Sequence, residues 1–227
     1  MNSVATLQPF TAPRARRQFH IRPALPCADG LYARVFEDIL DGQFSTGLSE
    51  ELLMRTYNAG RSQVRRVVTR LTHQGIIFAR PNQRAHVAEP DAEQIRQVLQ
   101  ARRMAEGSII ERLCTTTTRQ ALEPLRAIVA RERQSGETSR QSTTTRLGVE
   151  FHLELARMAG NTPLVHFLEE LAPLTGLALM QHPCRTEDWR SREAIVNAME
   201  NGDAVTAMMQ MTIYLDRLVA LQWTRTG

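Results

Sequence analysis

Residues 61–75 read RSQVRRVVTRLTHQG, and they place an apolar stripe and a group of arginines on one short predicted helix. Its apolar residues recur at i, i+3, i+4 and i+7, the spacing of one buried helix face: Val64, Val67, Val68 and Leu71. The polar residues lie on the opposite side or at its margins: Arg61, Ser62, Arg65, Arg66, Thr69 and Arg70. Arginine pairs with guanine edges and neutralises phosphates, so this face suits a DNA major groove. An ordinary solvated helix face is the alternative interpretation.

Two further helices are predicted before the arginine-rich helix. One covers residues 30–42 and ends at the stop signal Gly42. The other runs from Ser49 to Arg55, where a serine followed by two glutamates is typical of a helix start. The serine side chain accepts from a free backbone N–H, and the carboxylates favour the positive end of the helix dipole.

A short hairpin is predicted after the arginine-rich helix. Residues 76–79 and 85–88 are apolar or β-branched apart from His86, and they flank the turn 80–84, which contains a proline and an asparagine. The order helix, helix, turn, helix, hairpin is the outline of a winged helix-turn-helix. Gln83 and Arg84 then lie at the wing that flanks the DNA groove.

The chain from residue 91 to 223 has the helical period and no convincing strand. Asp91 can cap the first helix of this half, and the polar stretch 136–145 reads as a loop or a frayed helix start. The predicted helices are Glu93–Cys114, Arg119–Gln134, Thr144–Met158, Pro163–Gln181, Thr186–Asn201 and Asp203–Trp223. The fold class is therefore mainly α: a winged helix-turn-helix with a short β-hairpin wing, followed by an all-α helical bundle.

Composition and charge distribution suggest three regions. The formal net charge of +4 is mild, but residues 14–22 and 61–84 are strongly basic whereas 149–174 are net acidic. We therefore predict a flexible basic arm over 1–28, a DNA-binding domain over 29–90 and an all-α effector-binding and dimerisation domain over 91–227. The arm either reaches a minor groove or only aids solubility.

Several classes of protein are disfavoured. The cysteines are odd in number and widely spaced, which fits a reducing compartment: Cys27, Cys114 and Cys184. No signal peptide or membrane-length apolar segment is present, so the sequence predicts a cytoplasmic protein with no membrane partner. No nucleophile elbow, H-E-x-x-H motif or phosphate loop is found, and we predict that the protein is not an enzyme.

The stretch 48–87 resembles the winged helix-turn-helix of GntR-type bacterial transcription regulators. The residues that match the pattern of that family are Leu48, Glu50, Leu53, Arg61, Val64, Arg65, Leu71 and Gly75. Three departures affect the DNA-binding half: Gly60 replaces a serine, Glu51 replaces a basic residue, and Arg84 stands where the wing-tip glycine is usual. The resemblance implies that the partner is double-stranded operator DNA. Because of the three departures, the sequence of the operator cannot be taken from relatives.

The second half resembles the FCD ligand-binding domain of the FadR subfamily. The matching residues are Arg102, Glu106, Phe151, His152, Ala159, Gly160, Asn161, Ile195, Ala198, Gly202 and Asp203. This resemblance implies a helical bundle that binds a small-molecule effector and forms a homodimer. Because the two motifs occur together and in order, they are more specific than either alone.

Many FCD domains hold a divalent metal, and the ligand positions of that site differ here. By alignment they are Gly148, His152, Arg192 and Tyr214. One imidazole is too few donors for zinc, nickel or manganese, which need three or four protein ligands. We therefore predict that the usual metal site is lost and that no cofactor is bound. A displaced site is the alternative, with Glu150, His166 or His182 as ligands.

Arg192 offers a replacement for the charge of the metal. A guanidinium is permanently charged and can form two bonds to a carboxylate, so an acidic effector could bind Arg192, helped by Arg102, His152 and Tyr214. Alternatively, Arg192 pairs internally with Glu150 or Glu106 and fills the old cavity.

The sequence thus predicts a homodimeric transcriptional regulator, an effector-responsive repressor controlled by a small organic acid or related metabolite, acting at a pseudo-palindromic operator. Arg61 and Arg65 are the strongest candidates for DNA contact. Two alternatives remain: a DNA-binding protein with a decayed, ligand-independent sensor, and a helical metabolite-binding or enzymatic domain with a degenerate DNA head.

Overall fold

A computed structural model of the protein describes residues 30–78, 84–138, 140–181 and 188–223. The predicted arm over 1–28, the wing residue Gln83 and the alternative metal ligand His182 lie outside these residues.

The first half has the predicted order of elements. Helices α1, α2 and α3 are followed by a two-stranded antiparallel sheet. Their bounds are Gly30–Leu40 for α1, Glu50–Tyr57 for α2, Arg61–His73 for α3, Ile77–Phe78 for β1 and His86–Val87 for β2. The winged helix-turn-helix prediction is therefore confirmed, with strands shorter than predicted.

Local signals explain where these elements begin and end. Ser49 caps α2, since its hydroxyl accepts from the N–H of Leu52 at 3.2 Å. The N-cap of α3 is Gly60, whose N–H donates to the side chain of Gln63 at 3.1 Å, so the missing serine hydroxyl does not prevent the helix from starting. A backbone bridge between Leu48 and Ala85 joins the hairpin to the segment before α2.

The second half is an all-α bundle, as predicted. Its helices are α4 (Ala92–Thr116), α5 (Glu123–Thr138), α6 (Gln141–Met158), α7 (Thr162–Gln181), α8 (Asp188–Glu200) and α9 (Ala204–Trp223), with a 3₁₀ turn at Arg119–Leu122. Asp91 caps α4 by accepting from the N–H of Gln94 at 2.8 Å. Helix α4 packs along α9 and α7, and α6 packs between α5 and α7.

The prediction of a loop or frayed start over 136–145 is wrong. Helix α5 continues to Thr138 and α6 begins at Gln141. Serine and threonine are weak helix formers, but the first turn of α6 packs in the structure, with Ser142 buried. Tertiary packing therefore outweighs local propensity in this segment.

The two halves share one continuous apolar core. Helix α1 packs against α6 and α7, and the buried ring of Phe36 lies 3.8 Å from the position where Gly176 of α7 would carry a Cβ. Two ion pairs join the same surfaces: Arg146 to Glu37 at 2.5 Å and Arg140 to Asp41 at 3.1 Å. Within the described residues, none of the helices is long and apolar enough to cross a lipid bilayer.

Candidate functional site

The exposed face of α3 is the candidate DNA-binding surface. The residues of the apolar stripe are buried, apart from Val68, which is partly buried, and five of the six predicted contact residues are exposed: Arg61, Ser62, Arg65, Arg66 and Thr69. In the part of the chain that the structure describes, the three arginines among them form no salt bridge with a carboxylate. This face is therefore an uncompensated positive surface.

Several arginines on other helices are paired with carboxylates. Arg96 pairs with Glu93 at 2.6 Å, and Arg131 pairs with Glu150 at 2.7 Å. Since the exposed α3 arginines have no such partner among the described residues, their charge is available to phosphates or guanine edges.

Arg70 is not on this surface, which corrects the prediction for that residue. Its side chain is only 8% exposed, and its Cζ lies 4.0 Å from the centre of the Tyr32 ring of α1. Residue 70 lies beside Leu71 at the edge of the buried stripe, and the aromatic face attracts the guanidinium. Arg70 therefore packs inside the domain.

Of the two predicted wing residues, the structure describes one. Arg84 is exposed just before β2, on the same hairpin as the exposed ring of Phe78. Arg84 thus adds a positive charge to the wing, whereas Gln83 lies outside the described residues.

The four predicted effector-binding residues come together inside the bundle, each from a different helix. They are Arg102 of α4, His152 of α6, Arg192 of α8 and Tyr214 of α9, and all four are buried. Arg102 Nε donates to Glu106 at 2.7 Å, and His152 Nδ1 lies 2.5 Å from the other oxygen of the same carboxylate. The His152 ring stacks on Tyr214, with ring centres 5.3 Å apart.

Arg192 pairs internally, but with neither of the predicted carboxylates. Its Nε and Nη2 donate to the two oxygens of Glu132 at 2.8 and 2.5 Å. Glu150 pairs instead with Arg131 of α5 and with Arg146, which lies one turn earlier on α6. Sequence reasoning missed Glu132, although a signal existed.

That signal is the buried stripe of α5. Leu125, Ile128, Val129 and Glu132 follow the i, i+3, i+4, i+7 spacing, and all are buried. A carboxylate in the last position of such a stripe needs a cation inside the fold, because a buried charge is costly unless it is paired.

Gly148 makes room for the Arg192 guanidinium. A Cβ on residue 148 would lie 2.9 Å from Arg192 Cζ and still closer to Nη2. The guanidinium therefore occupies the space that an aspartate at the usual metal-ligand position would need.

These residues do not fit the divalent metal of many FCD domains. Only His152 remains of the four ligand positions, and a cation is already present in Arg192. Within the described residues, no group of three or more His, Cys, Asp or Glu side chains could hold a metal ion. The electrostatics of the site therefore depend on the protein's own charges.

Burial and neighbouring charges set the protonation of the cluster. Burial and the arginines lower the pKa of His152 to about 4, against the attraction of Glu106. Burial alone would raise the pKa of Glu106, but Arg102 and the bond to His152 lower it to about 2. An ionised Glu106 can only accept, so Nδ1 of neutral His152 carries the proton and Nε2 is an acceptor.

Arg102 and His152 each have one buried nitrogen without a hydrogen-bond partner among the described residues. They are Nη2 of Arg102, a donor, and Nε2 of His152. Because both side chains are bound to the same Glu106 carboxylate, this donor and this acceptor belong to neighbouring side chains inside the bundle.

Comparisons with known proteins agree with this architecture. Residues 27–87 match the family described as bacterial regulatory proteins, gntR family, and residues 97–217 match the FCD domain. E. coli McbR/YncC is 16% identical, with a TM-score of 0.70 over 87% of this chain and 97% of that one. A GntR transcriptional regulator from Rhodococcus sp. RHA1 is 17% identical, with a TM-score of 0.71 over the same shares.

These structural likenesses show the fold alone, and no curated protein matches the sequence. The FCD match covers more than half of the chain, and the GntR match covers the winged helix-turn-helix whose geometry is described above. The chain therefore belongs to the GntR family of bacterial transcription regulators and carries an FCD domain.

Proposed function

We propose that this regulator binds a pseudo-palindromic operator in the bacterial cytoplasm and acts as a repressor that a small effector releases. The observation that carries the proposal is the uncompensated arginine face of α3 in a GntR-type head. Arg61 and Arg65 are the proposed base or phosphate contacts, with Ser62, Arg66, Thr69 and Arg84 as weaker ones.

A mobility shift on DNA selected from a random library by the wild-type protein tests this proposal. Arg65→Ala should weaken binding about 5- to 150-fold, since a bidentate base contact contributes about 1–3 kcal/mol. The matched control is Arg112→Ala, which removes an exposed arginine from α4. Equal binding by the wild type and Arg65→Ala would contradict the proposal.

For the effector, we propose a small organic acid that also carries a hydroxyl group. Nη2 of Arg102 can donate to a carboxylate, and Nε2 of His152 can accept from a hydroxyl. Both arginines of the cluster already pair with glutamates, so their charge only partly compensates the carboxylate of an effector. A hydroxyl group on the same effector adds a hydrogen bond to His152, which helps to offset the cost of burying the acid. Contact with Arg192 and Tyr214 is a further part of this proposal.

Calorimetric titration separates the parts of the effector proposal. The probes are hydroxy acids and acids of the same length that lack the hydroxyl. We expect the hydroxy acids to bind more tightly, and His152→Asn, which keeps a donor toward Glu106, to remove the difference. Unchanged affinity in Arg192→Ala would exclude direct contact with Arg192. If no acid binds or alters the mobility shift, the protein is a ligand-independent DNA binder.

We also propose that the protein is a homodimer joined through α4 and α9. Seven large apolar side chains are exposed in the described part of the chain, and four lie on these two adjacent helices: Met104, Val205, Met209 and Ile213. The last three are spaced by four residues along one face of α9, and Met209 is 52% exposed. Apolar surface of this kind is typical of protein interfaces.

A further inference from the structure

A proline inside α7 creates a backbone acceptor that its own helix cannot satisfy. Helix α7 is continuous from Thr162 to Gln181 and contains Pro173. In an α-helix the carbonyl of residue i accepts from the N–H of residue i+4, so the carbonyl of Glu169 would accept from residue 173. Proline has no N–H, and the carbonyl of Glu169 therefore needs a donor from elsewhere.

That donor comes from the residue that directly follows α3. Gln74 is the C-cap of α3, is only 4% exposed, and donates from Nε2 to the Glu169 carbonyl at 2.9 Å. Its Oε1 accepts from the hydroxyl of Tyr32 at 2.7 Å. Since a backbone carbonyl can only accept, the amide nitrogen of Gln74 must face Glu169, and the orientation of the amide is settled.

Further contacts hold this corner of the DNA-binding head. The Tyr32 ring stacks on Phe36, with ring centres 5.8 Å apart, and the guanidinium of Arg70 of α3 also lies over the Tyr32 ring. Phe36 in turn packs against α7 near Gly176. The C-terminal end of α3 is thus bound to the bundle, while Arg61 and Arg65 in its first two turns face solvent.

We propose that Tyr32 and Gln74 are positioning residues that lock α3 to the FCD bundle through the acceptor freed by Pro173. The orientation of the DNA-reading helix then follows the bundle rather than a freely rotating head. This inference rests on the proposed function in one respect: in a dimer, locked heads hold the two reading helices at one separation, so the operator must have one half-site spacing.

Three full-length variants test the lock from its different sides. Gln74→Met removes the donor, Tyr32→Phe removes the hydroxyl but keeps the ring under Arg70, and Pro173→Ala returns an N–H to α7 that competes for the Glu169 carbonyl. The matched control is Gln97→Met, an exposed glutamine of α4. Pro173→Ala also guards against misfolding, because alanine favours the helix.

The first readout needs no DNA. Hydrogen exchange of the backbone amides at 70–76 should be about fivefold faster in the three variants. The loss of one buried neutral hydrogen bond shifts the local opening equilibrium by about that factor. The control should exchange at the wild-type rate. Wild-type exchange in Gln74→Met and Pro173→Ala would overturn the proposal.

The second readout is the preference for half-site spacing. DNA selected by the wild-type protein is altered by one or two base pairs between its half-sites, and each variant is titrated on both forms. We define the preference as the ratio of affinities for the native and the altered spacing. We expect this ratio to fall about fivefold in the variants, which should still bind the native spacing. A preference as strong as that of the wild type would overturn the proposal. If the wild type selects no such DNA, the proposed function fails, and the exchange result still decides whether the lock exists.

Discussion

At the scale of single residues, Gly148 and Arg192 share one volume in the bundle. The guanidinium of Arg192 lies where a side chain on residue 148 would begin, and Glu132 holds it there with two hydrogen bonds. Glycine is a poor helix former, so its presence inside α6 has a cost in helix stability that the buried ion pair requires. The glycine at residue 148 and the arginine at residue 192 therefore depend on each other for space.

This coupling predicts that Gly148→Ala has opposite effects on stability in two different backgrounds. In the wild-type chain the methyl group displaces the guanidinium, and the free energy of unfolding should fall by about 1–3 kcal/mol. In the double variant Arg192→Leu/Glu132→Leu the same methyl meets no charge pair, and stability should rise by about 1 kcal/mol. Chemical denaturation of the four proteins measures both effects. Equal effects in the two backgrounds would contradict the coupling.

At the scale of elements, α3 has two chemically different ends. Its first turns present Arg61 and Arg65 to solvent, whereas its last turn buries Arg70 and Gln74 against α1 and α7. In the proposed function, the helix therefore contacts DNA with one end, while the other end is held by the protein. An arginine count along the sequence does not distinguish the two ends.

The two kinds of arginine should respond differently to salt. With Arg65 on a phosphate, Arg65→Ala should reduce the slope of log affinity against log salt concentration by about 1, because each phosphate contact releases about one counterion. Arg70→Ala should leave that slope unchanged and lower the free energy of unfolding by about 1–2 kcal/mol, since it removes buried stacking. Fluorescence anisotropy over a salt series and thermal unfolding measure these effects. A reduced slope in Arg70→Ala would place that residue in the DNA interface after all.

At the scale of the whole molecule, the proposed dimer surface and the proposed contact between Gln74 and α7 together determine where the two α3 helices lie. Helix α4 has 25 residues and α9 has 20, so the pair is about 30–38 Å long. Two adjacent helices, each about 10 Å across, offer an outer face about 20 Å wide and about 600 Å² in area, close to the roughly 800 Å² per partner of a standard interface. A dimer joined there would set the distance between the two heads, which the Gln74 contact passes on to α3.

Met209→Glu should convert the dimer to a monomer, since a charge in the middle of the apolar stripe would be buried without a partner. Size-exclusion chromatography with light scattering measures the mass directly. Phe167→Glu is the control, because it adds the same charge to an exposed apolar position on α7. A dimeric Met209→Glu at micromolar concentration would exclude this surface.

Much of the molecule follows from the sequence alone. The apolar stripe of α3, the caps Ser49 and Asp91, and the helical period after residue 91 are local patterns, and the structure agrees with them. The residue types at the four usual metal-ligand positions can also be read from the sequence, because the type of donor is a property of each residue. Glu132 could also have been recognised from its place in a buried stripe.

The tertiary structure alone decided which distant groups meet. Gln74 and Glu169 are 95 residues apart, and Arg192 and Glu132 are 60 apart. A helical period defines the buried face of a helix but not the neighbour on that face, so Arg70 could not be placed against Tyr32 from its spacing. Pairings of this kind depend on how the helices pack, because each buried polar group must find its partner within a shared core.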